Sequence, residues 1–329
     1  MEKKKRISNK IQGLVLFNRK KTYPSKKIDS YTVEKINKED KIKFVNSLSP
    51  QANCYIYSIA LNNNGSYPIS EVKIKVISPQ FLSYLGCFPL TIRMLPIIED
   101  DEEEVKTIEI ALGELKEKSS QEISLQFTPY ISPAIGEFKS VITYVNNKKK
   151  LKILNSEPIK IQIDKLILTP KIIPSSQIRE FTQLTGTTRV LMSFGIAISK
   201  KKNVNKYFGI IEYILHSQNL QLITKDKERG MLWFCGTDMQ SENDILMLSK
   251  IGSNQIDIIT FSKNPLILTS FLSSFTKILM EQLSMKKNFK SKVKIFELVC
   301  INCGAILSHF PTKGESIICN KCNYKQIVW

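Results

Sequence analysis

Glu71-Val72-Lys73-Ile74-Lys75-Val76 sets charged and apolar residues in strict alternation. A period of two puts one face of a strand in a core and the other in water, so this stretch predicts a half-buried antiparallel β-strand. The same pattern recurs on both sides of it. Ile108, Ile110 and Leu112 repeat it, as do Ile123, Leu125 and Phe127 against Glu122, Ser124 and Gln126. Phe138, Ile142 and Tyr144 follow, then Ile159, Ile161 and Ile163 against Lys160 and Gln162. Turn-forming residues fall between the runs, at Asn62-Asn63-Asn64-Gly65, Pro79, Gly113, Pro129 to Gly136 and Asn146-Asn147. About seven short strands over residues 50–164 predict an immunoglobulin-like β-sandwich.

The period changes after Pro174. A short helical stretch, Ser175 to Leu184, precedes an apolar strand, Val190 to Ile198, and a basic turn, Lys200-Lys201-Lys202-Asn203. Val204, Phe208, Ile211 and Leu215 then fall on one stripe of an amphipathic helix that Asn203 is placed to cap. Strand-like runs follow at Leu220 to Lys225, Met231 to Gly236, Asp244 to Ile251 and Gln255 to Ser262. Asn264-Pro265 opens a last helix with a buried stripe of Leu268, Leu272, Phe275 and Leu279. This order predicts an α+β unit over residues 165–284, an antiparallel sheet with helices on one face. Residues 285–294 read as a basic linker.

Four cysteines mark the last unit, residues 295–329. Cys300, Cys303, Cys319 and Cys322 form two Cys-x-x-Cys pairs at the spacing with which one tetrahedral zinc holds a small ribbon. Four thiolates leave no open coordination position, so the expected zinc is structural. His309, between the pairs, is not needed as a ligand. Cys54, Cys87 and Cys235 stand singly in apolar or mixed stretches, which fits reduced, structural thiols and a cytoplasmic protein. The apolar run behind the basic start, Leu14 to Phe17, is too short for a signal-peptide core, and no segment has the length of a membrane span.

The 329 residues carry a net charge of +18, unevenly spread. Residues 1–50 contribute +9 and residues 284–329 contribute +6. Residues 1–49 therefore read as a basic N-terminal segment. Basic ends suit peripheral contact with an anionic membrane, phosphates of nucleic acid, or simple solvation of a lysine-rich chain. The acidic run Glu99 to Glu104 reads as a solvated loop. His216 ends a helix, and Asp238, Glu242 and Asp244 gather near a turn, an ordinary composition for a strand connection. The sequence holds no Gly-rich phosphate loop, nucleophile elbow or His-Glu-x-x-His. A non-enzymatic chain is expected.

Three stretches of the α+β unit carry a resemblance. They are Gln177 to Leu184, Met231 to Gly236 followed by Asn243 to Lys250, and Ile256 to Phe261 with the helix after Pro265. These resemble the platform of clathrin-adaptor and coatomer appendage (ear) domains, and the gamma coatomer subunit most of all. An appendage is an immunoglobulin-like sandwich followed by a platform, so the domain order matches over about residues 50–284. The resemblance implies an adaptor of vesicle trafficking that binds short linear motifs of partner proteins, with coat-like subunits among them. Carried over by position, the peptide site would comprise Phe181, where the family has Trp, with Leu184, Arg179 and Lys250. Phe181 and Leu184 are equally readable as a helix face packed on the sheet. The alternative to the adaptor is a nucleic-acid-associated protein using the zinc ribbon and basic ends.

Overall fold

The computed structural model describes residues 31–89, 93–94, 97–100, 105–197, 204–252, 254–285 and 294–328. Residues 1–30 of the basic segment, Asp101 to Glu104, the basic turn with its cap Asn203, and the linker lysines from Lys286 to Lys292 lie outside them.

A strand with one apolar side needs a second sheet to cover it. The first part of the chain supplies β1 (Tyr31–Asn37), β2 (Ile42–Gln51), β3 (Cys54–Asn63), β4 (Ile69–Pro79), β5 (Leu82–Phe88) and β6 (Arg93–Met94). It continues with β7 (Ile98–Asp100), β8 (Val105–Leu115), β9 (Ser119–Pro129), β10 (Ala134–Val145), β11 (Leu151–Asn155) and β12 (Ile159–Ile163). One sheet runs β1-β2-β3-β9-β5. The other runs β11-β10-β4-β8-β6, with β7 on β8 and β12 on the half of β10 that β11 leaves free. Val72, Ile74 and Val76 are fully buried while Lys73 and Lys75 face solvent, so a one-residue slip would bury the lysines. Tyr57 of β3 stacks on Phe138 of β10 at 4.8 Å and joins the sheets by hydrogen bonding. Its hydroxyl accepts from Asn46 Nδ2 at 2.6 Å and lies 2.6 Å from Ser140 Oγ. The expected immunoglobulin-like sandwich is the fold of this part.

The sandwich also takes in residues that the sequence places in the basic N-terminal segment. Ile42, Phe44, Asn46 and Leu48 alternate into its core, interleaved with Lys43, Val45 and Ser47, so the strand-like stretch Tyr31 to Val45 joins the sandwich.

The α+β unit comprises β13 (Leu168–Pro170), α1 (Ile178–Gln183), β14 (Thr188–Ala197), α2 (Val204–Ser217), β15 (Gln221–Asp226), β16 (Met231–Asp238), β17 (Asp244–Ile251), β18 (Gln255–Ser262), α3 (Pro265–Met285) and β19 (Lys294–Glu297). Its antiparallel sheet runs β13-β16-β17-β18-β14-β19, with β15 also on β16. The backbone N–H of Leu266 donates to Asn264 Oδ1 at 3.0 Å, the expected cap of α3. Leu268, Leu272, Phe275 and Leu279 are fully buried, and with α2 they cover Leu232, Phe234, Met247 and Ile258 on the inner face. Because the central strands β16, β17 and β18 are apolar on both sides, a second cluster forms on the outer face: Cys235, Leu246, Leu248, Ile259 and Phe261. Short helix α1 packs there, on the side opposite α2 and α3. The linker ends earlier than its lysines suggest, because Lys294–Glu297 pairs with β14 as the edge of the sheet.

The chain closes with a hairpin, β20 (Ser316–Ile318) and β21 (Lys325–Ile327), beside the four cysteines. Leu298, Leu307, Phe310 and Ile317 form a small core under it.

Candidate metal centre and binding face

Each Cys-x-x-Cys pair closes a tight knuckle by the same two backbone hydrogen bonds. In the first, Gly304 N donates to Cys300 O at 2.8 Å and Cys300 N donates to Ala305 O at 2.7 Å. In the second, Asn323 N donates to Cys319 O and Cys319 N to Tyr324 O, both at 2.9 Å. The residue after the second cysteine must take a left-handed conformation in each case. Gly304 does so at φ +66° and Asn323 at +59°, the two residue types that tolerate it best. The knuckles bring all four sulfurs within 4.8 Å of one another. Cys300 Sγ lies 3.6 Å from Cys322 Sγ, and Cys303 Sγ the same 3.6 Å from Cys319 Sγ. Sulfurs about 2.3 Å from a tetrahedral ion stand about 3.8 Å apart, so the set fits a single metal. Outside the four, Asn302 Nδ2 donates to Cys322 Sγ at 3.6 Å and Lys321 N to Cys319 Sγ at 3.4 Å. His309 is exposed, with Nδ1 on Ser308 Oγ at 3.0 Å, and takes no part.

The remaining cysteines are packing residues. Burial pushes the thiol of Cys54 up to about 12, with Glu297 adding to it, and those of Cys87 and Cys235 up to about 11. Neutral, buried thiols are poor nucleophiles. The carboxylates near the 238–244 turn are engaged structurally. Asp238 accepts from the backbone of Ile167 and Ser241, and Asp244 pairs with Lys171 and accepts from Thr237 Oγ1 at 2.7 Å.

The four residues expected to read a peptide are distributed as follows. Phe181 is half-buried and packs against the outer sheet cluster. Arg179 and Leu184 are exposed on and just after α1. Lys250 is exposed on β17, on the outer face two residues beyond Leu248. What the sequence reading omits is Trp233. It lies on that face between Met231 and Cys235, is half-buried, and stacks on Phe261 with centroids 6.5 Å apart. Met231, Lys250, Asp257 and Ser193 form the next row across the sheet, where Asp257 Oδ1 accepts from Ser193 Oγ and Gln255 Nε2, both at 2.7 Å. The outer face therefore carries a buried apolar cluster on which Trp233, Met231 and Phe181 are only partly covered, with Lys250 exposed on β17 and Arg179 exposed on α1.

Among the described residues no helix is long and apolar enough to cross a membrane. No protein-family profile matches the chain, and no curated protein matches it. Solved structures that overlap it include an immunoglobulin-like protein from Nocardia farcinica, at 10% identity and TM-score 0.26, covering 37% of this chain and 98% of that one. The major pilin BcpA of Bacillus cereus overlaps at 9% identity and TM-score 0.24, covering 70% of this chain and 74% of the pilin. The pilin SpaD of Corynebacterium diphtheriae does so at 6% identity and TM-score 0.27, covering 51% and 42%. Likeness at this level identifies no function. The resemblance to coatomer and clathrin-adaptor appendages is corrected by these findings: the neighbours are immunoglobulin-like and pilin proteins, and no family match supports an ear domain. The apolar runs and the domain order on which it rests are what any immunoglobulin-like sandwich followed by an antiparallel sheet packed beneath helices supplies.

Proposed function

We propose that this chain is a non-enzymatic interaction protein that engages a partner protein on the outer face of its α+β sheet and carries one structural zinc. The observation that carries the binding reading is Trp233, a large, half-buried ring on the outer face of the sheet, packed with Met231, Phe181 and Leu248. Interfaces draw most of their energy from a few such aromatic anchors, while charges at the rim tune rate and register. Lys250 and Arg179 at the margin favour a segment with an aromatic or aliphatic anchor and acidic flanks. The zinc assignment rests on donor chemistry, since four soft thiolates at tetrahedral separations suit zinc and leave no site for a substrate.

The test is selection from a displayed library of aromatic and acidic peptides, followed by titration of the selected sequences. Binding weakened at least tenfold by Trp233→Ala and by Lys250→Glu, and unaffected by Tyr213→Ala on the exposed side of α2, supports the reading. Selected peptides that bind all three variants alike would overturn it.

A further inference from the structure

The ribbon does not hang free on its tether. Three contacts tie it to the rest of the molecule, and they reach both preceding domains. Leu298, in the ribbon's own core, donates its N–H to Ser193 O of β14 at 2.8 Å. Phe310, buried and stacked on Phe296 at 5.9 Å, lies flat over Gly195 on the outer sheet face, where a Cβ would overlap its ring. On the sandwich side, a Cβ added to Gly304 would stand 3.3 Å from Gln126 Nε2 and 3.7 Å from the Phe88 ring. Just before the ribbon, Glu297 accepts from Asn53 Nδ2 of the β2–β3 turn at 3.1 Å. Beside this bond α3 also meets the sandwich: Thr128 Oγ1, which donates to Asn53 O at 3.2 Å, lies 3.2 Å from Ser273 Oγ.

We infer that the metal-loaded ribbon is a clasp that locks the sandwich to the α+β domain. The geometry supplies the link to the metal. Gly304, whose bare Cα faces Gln126 and Phe88 of the sandwich, is also the left-handed residue that closes the first knuckle directly after Cys303. Metal binding fixes that knuckle and the small core containing Phe310, so it sets both docking surfaces at once. Gly195 is the receiving position: any side chain there excludes the Phe310 ring without touching a thiol.

Amide hydrogen exchange on the full chain tests this, with metal content measured in parallel by release to a chromophoric chelator. Gly195→Ala should keep one metal per chain, yet raise exchange at least tenfold in residues 294–298 and in the segments around Asn53, Phe88 and Gln126. Phe310→Ala, which removes the ring that packs over Gly195 and leaves β14 intact, should do likewise. Stripping metal from the unmodified chain should reproduce the pattern. Exchange near Asn53, Phe88 and Gln126 that stays unchanged after stripping would overturn the clasp. So would a rise in Gly195→Ala that Phe310→Ala does not share, because that would mark a defect of β14 alone.

Discussion

Glu297→Gln should make the protein more stable. The carboxyl of Glu297 sits at the junction of sandwich, sheet and ribbon, and burial raises its pKa above 4.5 while the hydrogen bond from Asn53 only partly opposes the shift. A carboxyl whose native pKa is raised binds its proton more tightly folded than unfolded, so ionisation costs stability. That cost is absent well below pH 4.5, grows as pH rises through 4.5 towards the native value, and is constant above it. Gln keeps an acceptor for Asn53 Nδ2 and removes the charge. One pKa unit corresponds to about 1.4 kcal/mol, and burying a charge with one neutral partner costs roughly 1–3 kcal/mol, so a gain in that range is expected at pH 7.5. Cys54, the titratable neighbour of Glu297, stays protonated there because its thiol is pushed up to about 12. Urea unfolding of metal-loaded wild type and variant measures the gain, and the gap should narrow as pH falls towards 4.5. A variant that is equally or less stable at pH 7.5 refutes the reasoning, because it would mean that the charged form is the one the junction holds.

Further outcomes follow from the same geometry. Tyr57→Phe should cost about 1–3 kcal/mol in urea unfolding with little change in m-value, because Asn46 Nδ2 and Ser140 Oγ lose a buried partner. Gly230→Ala should cost about 1–3 kcal/mol by the same measurement, since Gly230 has φ +65° and a Cβ there would run into Ile251 O. Cys319→Ser should abolish stoichiometric metal binding and strip exchange protection from residues 298–328, while the β4–β10 ladder of the sandwich, which holds none of the ribbon-facing residues, keeps its slow amides.

The sandwich is legible because its strands are apolar on one side only, so period two gives both strand and facing. The first strands are legible only in part: Tyr31 to Val45 reads as strand-like, but nothing local says that Ile42, Phe44 and Leu48 point into the sandwich core. In the α+β sheet both sides are apolar, and Met231-Leu232-Trp233-Phe234-Cys235 reads as a strand without revealing which residues face α2 and α3. Trp233 escapes notice for that reason, and an outward Trp is found only once Leu232 and Phe234 are known to point inward. The thiol cluster is readable from spacing, since each knuckle is local. The clasp is not, because its contacts join Asn53 to Glu297 and Gly195 to Phe310 across long stretches of chain, and no local pattern records them.

The most direct test of the central claim is chemical crosslinking from the outer face. A photoreactive phenylalanine analogue would replace Leu184, which caps α1 three residues after the packed Phe181 and is 42% exposed, with the same analogue at Tyr213 as control. With a library-selected peptide present, the account predicts adducts from position 184 that vanish in the Trp233→Ala background, and none from position 213. Equal labelling from the two positions, or adducts at 184 that persist without Trp233, would contradict the claim that this face is the binding surface.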